Sequence, residues 1–214
     1  GMSHCAILGA HPDVELVGMC DPDSLLQSAF KKLTKIACYT DYKKMINETK
    51  PDAVYVVTPT KLHEEMVVYA LEHGCHVFCE KPFSLTEKDG QIMVEAAKKY
   101  GKVNQVGYHN RFIGTFVEAK RLMDAGVIGK PFHFMGEAYG PVVLKRKGGT
   151  WRSDKKAGGG CVMDYAAHVL NLINYICSSP IVKVAGTSMP SIFSEEVDDA
   201  VYSSLTLENG LKAQ

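Results

Sequence analysis

An excess of charge of either sign is missing from this 214-residue chain: Lys plus Arg is 24 and Asp plus Glu is 24. A formal charge of zero provides no electrostatic footprint for nucleic acid or an anionic membrane surface. No apolar run approaches the roughly 20 residues that span a bilayer. The N-terminus lacks the basic-then-apolar pattern of a signal peptide. Low-complexity linkers and internal repeats are absent too. A disulfide framework is not expected, because the seven cysteines are odd in number and scattered, several of them inside apolar runs (Cys20, Cys38, Cys79). Reduced, buried thiols fit better, which points to the cytoplasm. Cys75 and Cys79 flank His76, but strand alternation sends the thiols to one face and the imidazole to the other. No second ligand pair follows at a zinc-like spacing, so no metal site is expected.

What the chain does have is 46% hydrophobic and 22% charged residues, the balance of a packed globular core. Its length suits one large domain, or one domain and part of another. The first half alternates short β-rich runs with helical patterns. Val14 to Cys20 reads as a strand, Ser24 to Leu33 as a helix, and Ile36 to Tyr39 as a strand. Asp41 can cap a helix over Tyr42 to Glu48. Ala53 to Val57 reads as a buried strand, and Leu62 to His73 as a helix ended by Gly74. His76 to Cys79 is a strand, Thr86 caps a helix to about Lys99, and Lys102 to Val106 is another strand. Such alternation signals right-handed βαβ crossovers on a parallel sheet. In these sheets ligands bind beyond the carboxyl ends of the strands. Those ends carry Asp21, Thr58-Pro59-Thr60, Glu80-Lys81-Pro82 and Tyr108-His109-Asn110.

Beyond about residue 110 the rhythm changes. A helix is expected over Phe112 to Ala125 and a strand over Pro131 to Tyr139. Val142 to Lys156 reads as a basic loop. Gly158-Gly159-Gly160 leads into an apolar helix ending near Ile176. Strands are expected over Ile181 to Met189 and Ala200 to Leu207. This predicts an α+β domain with a mainly antiparallel sheet over 111–214, after a parallel α/β domain over 1–110.

Several groups carry chemistry. Pro82 disfavours helix at Lys81, so that lysine is held extended at a strand end. There it can donate to a reacting oxygen, with Glu80 orienting it or setting its charge. The tripeptide alone fits a solvated Glu–Lys pair equally well. Asp164 and His168, four apart, fall on one helical face. The imidazole can act as a general base with the carboxylate as its partner. The preceding glycines permit a close backbone approach to a ligand. The same pair also fits a first-turn acid and an ordinary helix histidine. Asp21 stands 20 residues after Gly1. That is the place of a ribose-binding acid in a dinucleotide fold, or of a turn aspartate. Pro22, Asp23 and Ser24 bring no cation beside it, which favours NAD over NADP. Trp151-Arg152 can line a sugar site, or simply pack.

Together these residues resemble the Gfo/Idh/MocA family, which includes glucose–fructose oxidoreductase and inositol dehydrogenase. The likeness runs in order along nearly the whole chain. It takes in Pro12 to Val17 with Cys20-Asp21, then Asp52-Ala53-Val54 with Thr58-Pro59, His63 and Glu80-Lys81-Pro82. It continues through Gly107 to Phe112, Trp151-Arg152, and Gly158-Gly159-Gly160 with Asp164 and His168. Ala166 departs from the glycine common there. The resemblance implies a Rossmann-type domain and hydride transfer between a sugar or polyol hydroxyl and a nicotinamide. It implies Lys81, His168 and Asp164 as catalytic residues. Thr58, Pro59, His63 and Glu80 would line the nicotinamide, and Asn110 and Arg111 would sit where the domains meet. Lys81, Tyr108, Arg111, Trp151, Arg152, Asp164 and His168 form the expected substrate set, with Asn110 on the cofactor side. An NAD-dependent glycosidase and a non-catalytic nucleotide-binding relative are the alternatives. A homo-oligomer is expected.

Both ends depart from the family pattern. Gly1-Met2-Ser3 matches only the tail of the glycine fingerprint, so the expectation is that the first, central strand is absent. The chain closes at Gln214 in mid-strand by the same pattern. These residues by themselves are therefore expected to bind dinucleotide weakly.

Overall fold

A computed structural model describes residues 1–140, 151–190, 194 and 196–214. The chain divides into two compact units. One comprises Gly1–Thr58 and Leu62–Val106, the other Pro59–Lys61 and Gly107–Gln214.

The first unit alternates helix and strand throughout. It runs α1 (Met2–Gly9), β1 (Met19–Cys20), α2 (Ser24–Thr34), β2 (Cys38–Tyr39), α3 (Tyr42–Thr49) and β3 (Ala53–Val56). It continues with α4 (His63–Glu72), β4 (His76–Cys79), α5 (Glu87–Tyr100) and β5 (Asn104–Val106). All pairings are parallel, in two ladders, β1–β2 and β3–β4–β5. Local chemistry sets the helix ends. Asp41 accepts from the backbone N–H of Lys43 and Lys44, and Thr86 accepts from that of Asp89. Gly101 closes α5 in the left-handed region. The core is Ile46, Val56, Val67, Ala70, Leu71, Cys75, Val77, Cys79 and Met93. Cys75 and Cys79 point inward and His76 outward, as period-two alternation requires.

Two elements differ from expectation. The strand expected from Val14 is confined to Met19–Cys20, because its partner β2 has only two paired residues. Helix α1 was not expected. Met-Ser-His-Cys-Ala-Ile-Leu-Gly has no polar face, so amphipathic periodicity cannot reveal it.

The second unit opens with a 3-10 turn over His109–Phe112, then α6 (Gly114–Asp124) and β6 (His133–Phe134). Short turns over Trp151–Ser153 and Lys155–Ala157 lead to a π-helical turn, Val162–Ala166. Then follow α7 (Ala167–Cys177), β7 (Ile181–Pro190), β8 (Asp198–Leu207) and β9 (Lys212–Ala213). The sheet order is β6–β9–β8–β7. Strand β8 pairs antiparallel with both β7 and β9, and β6 runs parallel to β9. The sheet is therefore mainly antiparallel, as expected. Ile173 and Cys177 of α7 pack on Leu205, Leu207, Leu211 and Ala213. Of the strand expected over Pro131 to Tyr139, His133–Phe134 pair with β9, and the Gly136 N–H donates on to the Gln214 carbonyl. Of the loop expected from Val142 to Lys156, residues 142–150 lie outside the described residues. Among the described residues no helix is long and apolar enough to cross a membrane.

Candidate active site

In the first unit the carboxyl ends of the strands carry the polar groups. Asp21 directly follows β1, and its Oδ1 accepts from the Asp23 amide at 2.8 Å. The turn is fixed from behind by Gln27, whose Nε2 donates to the carbonyls of Asp21 and Tyr39 and so ties the ends of β1 and β2. Gln27 carried no signal in the sequence, because its partners are backbone atoms. Gly1-Met2-Ser3 begin α1. Gly1 brings no side chain to cap the helix, and the first turn holds no acid. A helix N-terminus at α1 and a strand-end carboxylate at Asp21 are groups of the kind that take the pyrophosphate and ribose of a dinucleotide.

Around Lys81 the geometry is closely defined. Glu80 follows β4, and its Oε2 accepts from the Lys81 backbone N–H at 2.9 Å. Its Oε1 lies 2.7 Å from Nε2 of His4, on the first turn of α1. Glu80 therefore orients Lys81 through the main chain. The Lys81–Pro82 peptide is cis. Three residues on, the Phe83 carbonyl lies 3.3 Å from Nδ1 of His63, whose Nε2 is 2.9 Å from the Thr58 carbonyl. His63 is only 1% exposed. A ring so enclosed ties the Thr58 and Phe83 main chains together. Beneath the tripeptide, burial and then the Glu80 charge push the Cys79 thiol up to about 12.

In the second unit His168 stands one residue inside α7. Its ring meets the edges of Tyr108, at 6.1 Å between centroids, and His109, at 5.0 Å. Two rings from one loop thus frame the imidazole. His109 belongs to the strand-end group read from sequence, but nothing there linked it to a residue 59 positions away. Arg111 donates through Nε to Asn171 at 2.7 Å and stacks its guanidinium 5.2 Å from the Tyr175 ring centre. It fastens the loop to α7. Asn110 sits in the same turn, its carbonyl accepting from the Ile113 amide. Asp164 is buried and accepts from Arg152 Nε at 3.0 Å. Asp164 lies in the π turn and His168 in the first turn of α7 that continues it. Arg152 also lies over the Trp151 ring, 4.5 Å from its centre. Asp164 and Arg152 line a cavity of about 770 Å³ with Glu137, Tyr139, Tyr165 and Tyr202.

The glycines before the π turn do approach backbone closely, but it is the chain's own. A Cβ on Gly159 would overlap the Arg152 carbonyl, and one on Gly160 would overlap the Asp198 carboxylate. Asp198 accepts from the Val162 amide at 2.8 Å and lies 3.0 Å from Cys161 Sγ. Burial first, and Asp198 second, push the Cys161 thiol up to about 12. Asp198 thus anchors the start of the site helix from a strand 36 residues on, beyond the reach of sequence reasoning.

A parallel α/β unit with an uncapped helix N-terminus and a strand-end acid, followed by a mixed-sheet unit, defines a two-part dinucleotide-binding architecture. Comparison with known proteins agrees. Residues 1–108 match the family model described as "Oxidoreductase family, NAD-binding Rossmann fold", and residues 116–214 match the GFO/IDH/MocA C-terminal domain. The chain belongs to the GFO/IDH/MocA family of oxidoreductases. It is 29% identical to D-glucoside 3-dehydrogenase of Escherichia coli (strain K12), over 97% of this chain and 63% of that protein. It is 32% identical to scyllo-inositol 2-dehydrogenase (NAD(+)) of Bacillus subtilis (strain 168), over 68% of this chain and 41% of that protein. An NAD-binding protein from Listeria innocua superposes with a TM-score of 0.87 at 30% identity, covering 100% of this chain and 63% of that one. The chain spans less than two thirds of each of these relatives.

Proposed function

We propose that this chain serves the NAD-dependent oxidation of a sugar or polyol hydroxyl. The observation that carries the reading is Lys81, set at the carboxyl end of β4 with its backbone fixed by Glu80. The dinucleotide, when bound, supplies the hydride acceptor. The N-terminus of α1 holds the pyrophosphate, and Asp21 holds the ribose hydroxyls. Asp21 with Asp23 close by repels a 2′-phosphate, which supports NAD over NADP. Lys81 stabilises the negative charge that develops on the substrate oxygen. His168 takes the hydroxyl proton. Asp164, held by Arg152, presents acceptor oxygens to further hydroxyls, and Trp151 offers a ring face to the apolar side of a polyol.

The test is NADH formation from inositols and aldoses, with NADH binding followed separately by fluorescence. Lys81→Ala and His168→Ala are each expected to lower kcat by about 100-fold or more while NADH still binds. Turnover equal to wild type in both variants refutes the assignment. Self-association belongs to the same proposal, supported by Val182, Val184 and Tyr202, which β7 and β8 leave more than half exposed. Sedimentation at the mass of a single chain would overturn that part.

A further inference from the structure

We propose that His4 is a positioning residue for Lys81, acting through the Glu80 carboxylate. One carboxylate joins two distant pieces of chain. Its Oε1 takes His4 Nε2 at 2.7 Å, and its Oε2 takes the Lys81 N–H at 2.9 Å. With a donor on each oxygen, Glu80 is held in one rotamer, and the Lys81 backbone is held with it. The imidazole cannot drift either. Its centre lies 5.2 Å from that of Phe78 and 5.9 Å from that of Tyr55, and these two rings are themselves stacked at 4.8 Å. Strands β3 and β4 thereby set the direction of Nε2.

The same short segment is gripped again at Phe83, whose carbonyl faces the buried His63. Residues 80 to 83 are thus held at both ends by imidazoles from different helices. Loss of His63 would also disturb Thr58 and the core, whereas loss of the His4 donor would release the Glu80–Lys81 end alone. Glu80 and His4 are each about a quarter exposed at the side chain. The contact is therefore partly screened, and its role is geometric more than energetic. A lysine that must meet a developing oxyanion needs its backbone fixed, since small misplacements cost rate steeply. The inference rests on the reading of Lys81 as the residue that meets the substrate oxygen.

Two variants separate donation from packing. His4→Phe keeps a ring against Phe78 and Tyr55 but removes the donor, and His4→Gln restores an N–H without the ring. Amide hydrogen exchange at Lys81, thermal stability, and kcat with KM are measured for both on the full chain. In His4→Phe the Lys81 amide is expected to exchange about tenfold faster, as for loss of one charge-assisted bond. Its kcat should fall about tenfold with KM within about twofold, since only transition-state contact is lost. His4→Gln should recover most of both. Unchanged Lys81 exchange in His4→Phe overturns the proposal. So does a His4→Gln variant no better than His4→Phe, which would assign the effect to ring packing. Absence of sugar oxidation in the wild type would instead sink the functional reading, and the exchange measurements would still decide whether His4 holds Lys81.

Discussion

Residue by residue, the side chains that matter most are those whose partners lie far off in sequence. Lys81 and His168 announce themselves by their neighbours, Pro82 on one side and the glycine run on the other. His4, Gln27, His109 and Asp198 do not, because each acts on a partner that only the fold brings near. Two outcomes belong to this scale. Replacing the buried His63 by Leu removes the imidazole's contact with the part-buried Thr58 carbonyl, which should cost about 1–3 kcal/mol in urea unfolding. Cys79 gives a pH effect of known sign. Its folded value of about 12 exceeds its ordinary 9.0, so the native state keeps a proton that the unfolded chain releases. Its stabilisation is complete below pH 9 and is lost as pH rises towards 12. Stability should fall there by up to about 1.4 kcal/mol per pH unit for this thiol. Cys79→Ala should flatten that slope in equilibrium unfolding at pH 8 to 10.5, whatever it costs at neutral pH.

Among the elements, what could be read from sequence were those with local punctuation. Helix α3 begins at its Asp41 cap and α5 at its Thr86 cap, and β3 and β4 fall within a residue of the apolar runs that mark them. Elements defined by partners were not legible. Strands β1 and β6 each pair over only two residues, fewer than the alternating runs that mark them. Helix α1 hides because its few polar residues do not fall on one face against an apolar stripe. The π turn hides because no residue type encodes it, and Asp164 within it meets Arg152. The capping claim is simple to check. Thr86→Ala should destabilise the protein by about 1 kcal/mol, seen as a lower denaturation midpoint with an unchanged m-value.

At the scale of the molecule, each unit carries its own core, one around Leu71 and one around Ile173. Leu71 is fully buried beside Ala70 and Cys75. Leu71→Ala should cost about 2–5 kcal/mol, enough to unfold much of a marginal domain at 37 °C. A loss under about 1 kcal/mol would show that this core is looser than its packing indicates. The sequence made the order of the two units legible, since alternation of strand and helix gives way to long strands after one helix. Their sheets were legible in kind but not in extent.

Gly159 and Gly160 have a consequence for how this chain can diversify. Gly160 has φ of +106°, and both positions are closed by atoms that cannot step aside, a main-chain oxygen and an anchored carboxylate. Gly101 shares the positive φ but faces open space. In a saturation library, position 101 should accept Asn or Asp at little loss. Positions 159 and 160 should return almost nothing but glycine. Every substrate preference this scaffold acquires must then be written around that fixed corner, in side chains that can vary without moving it.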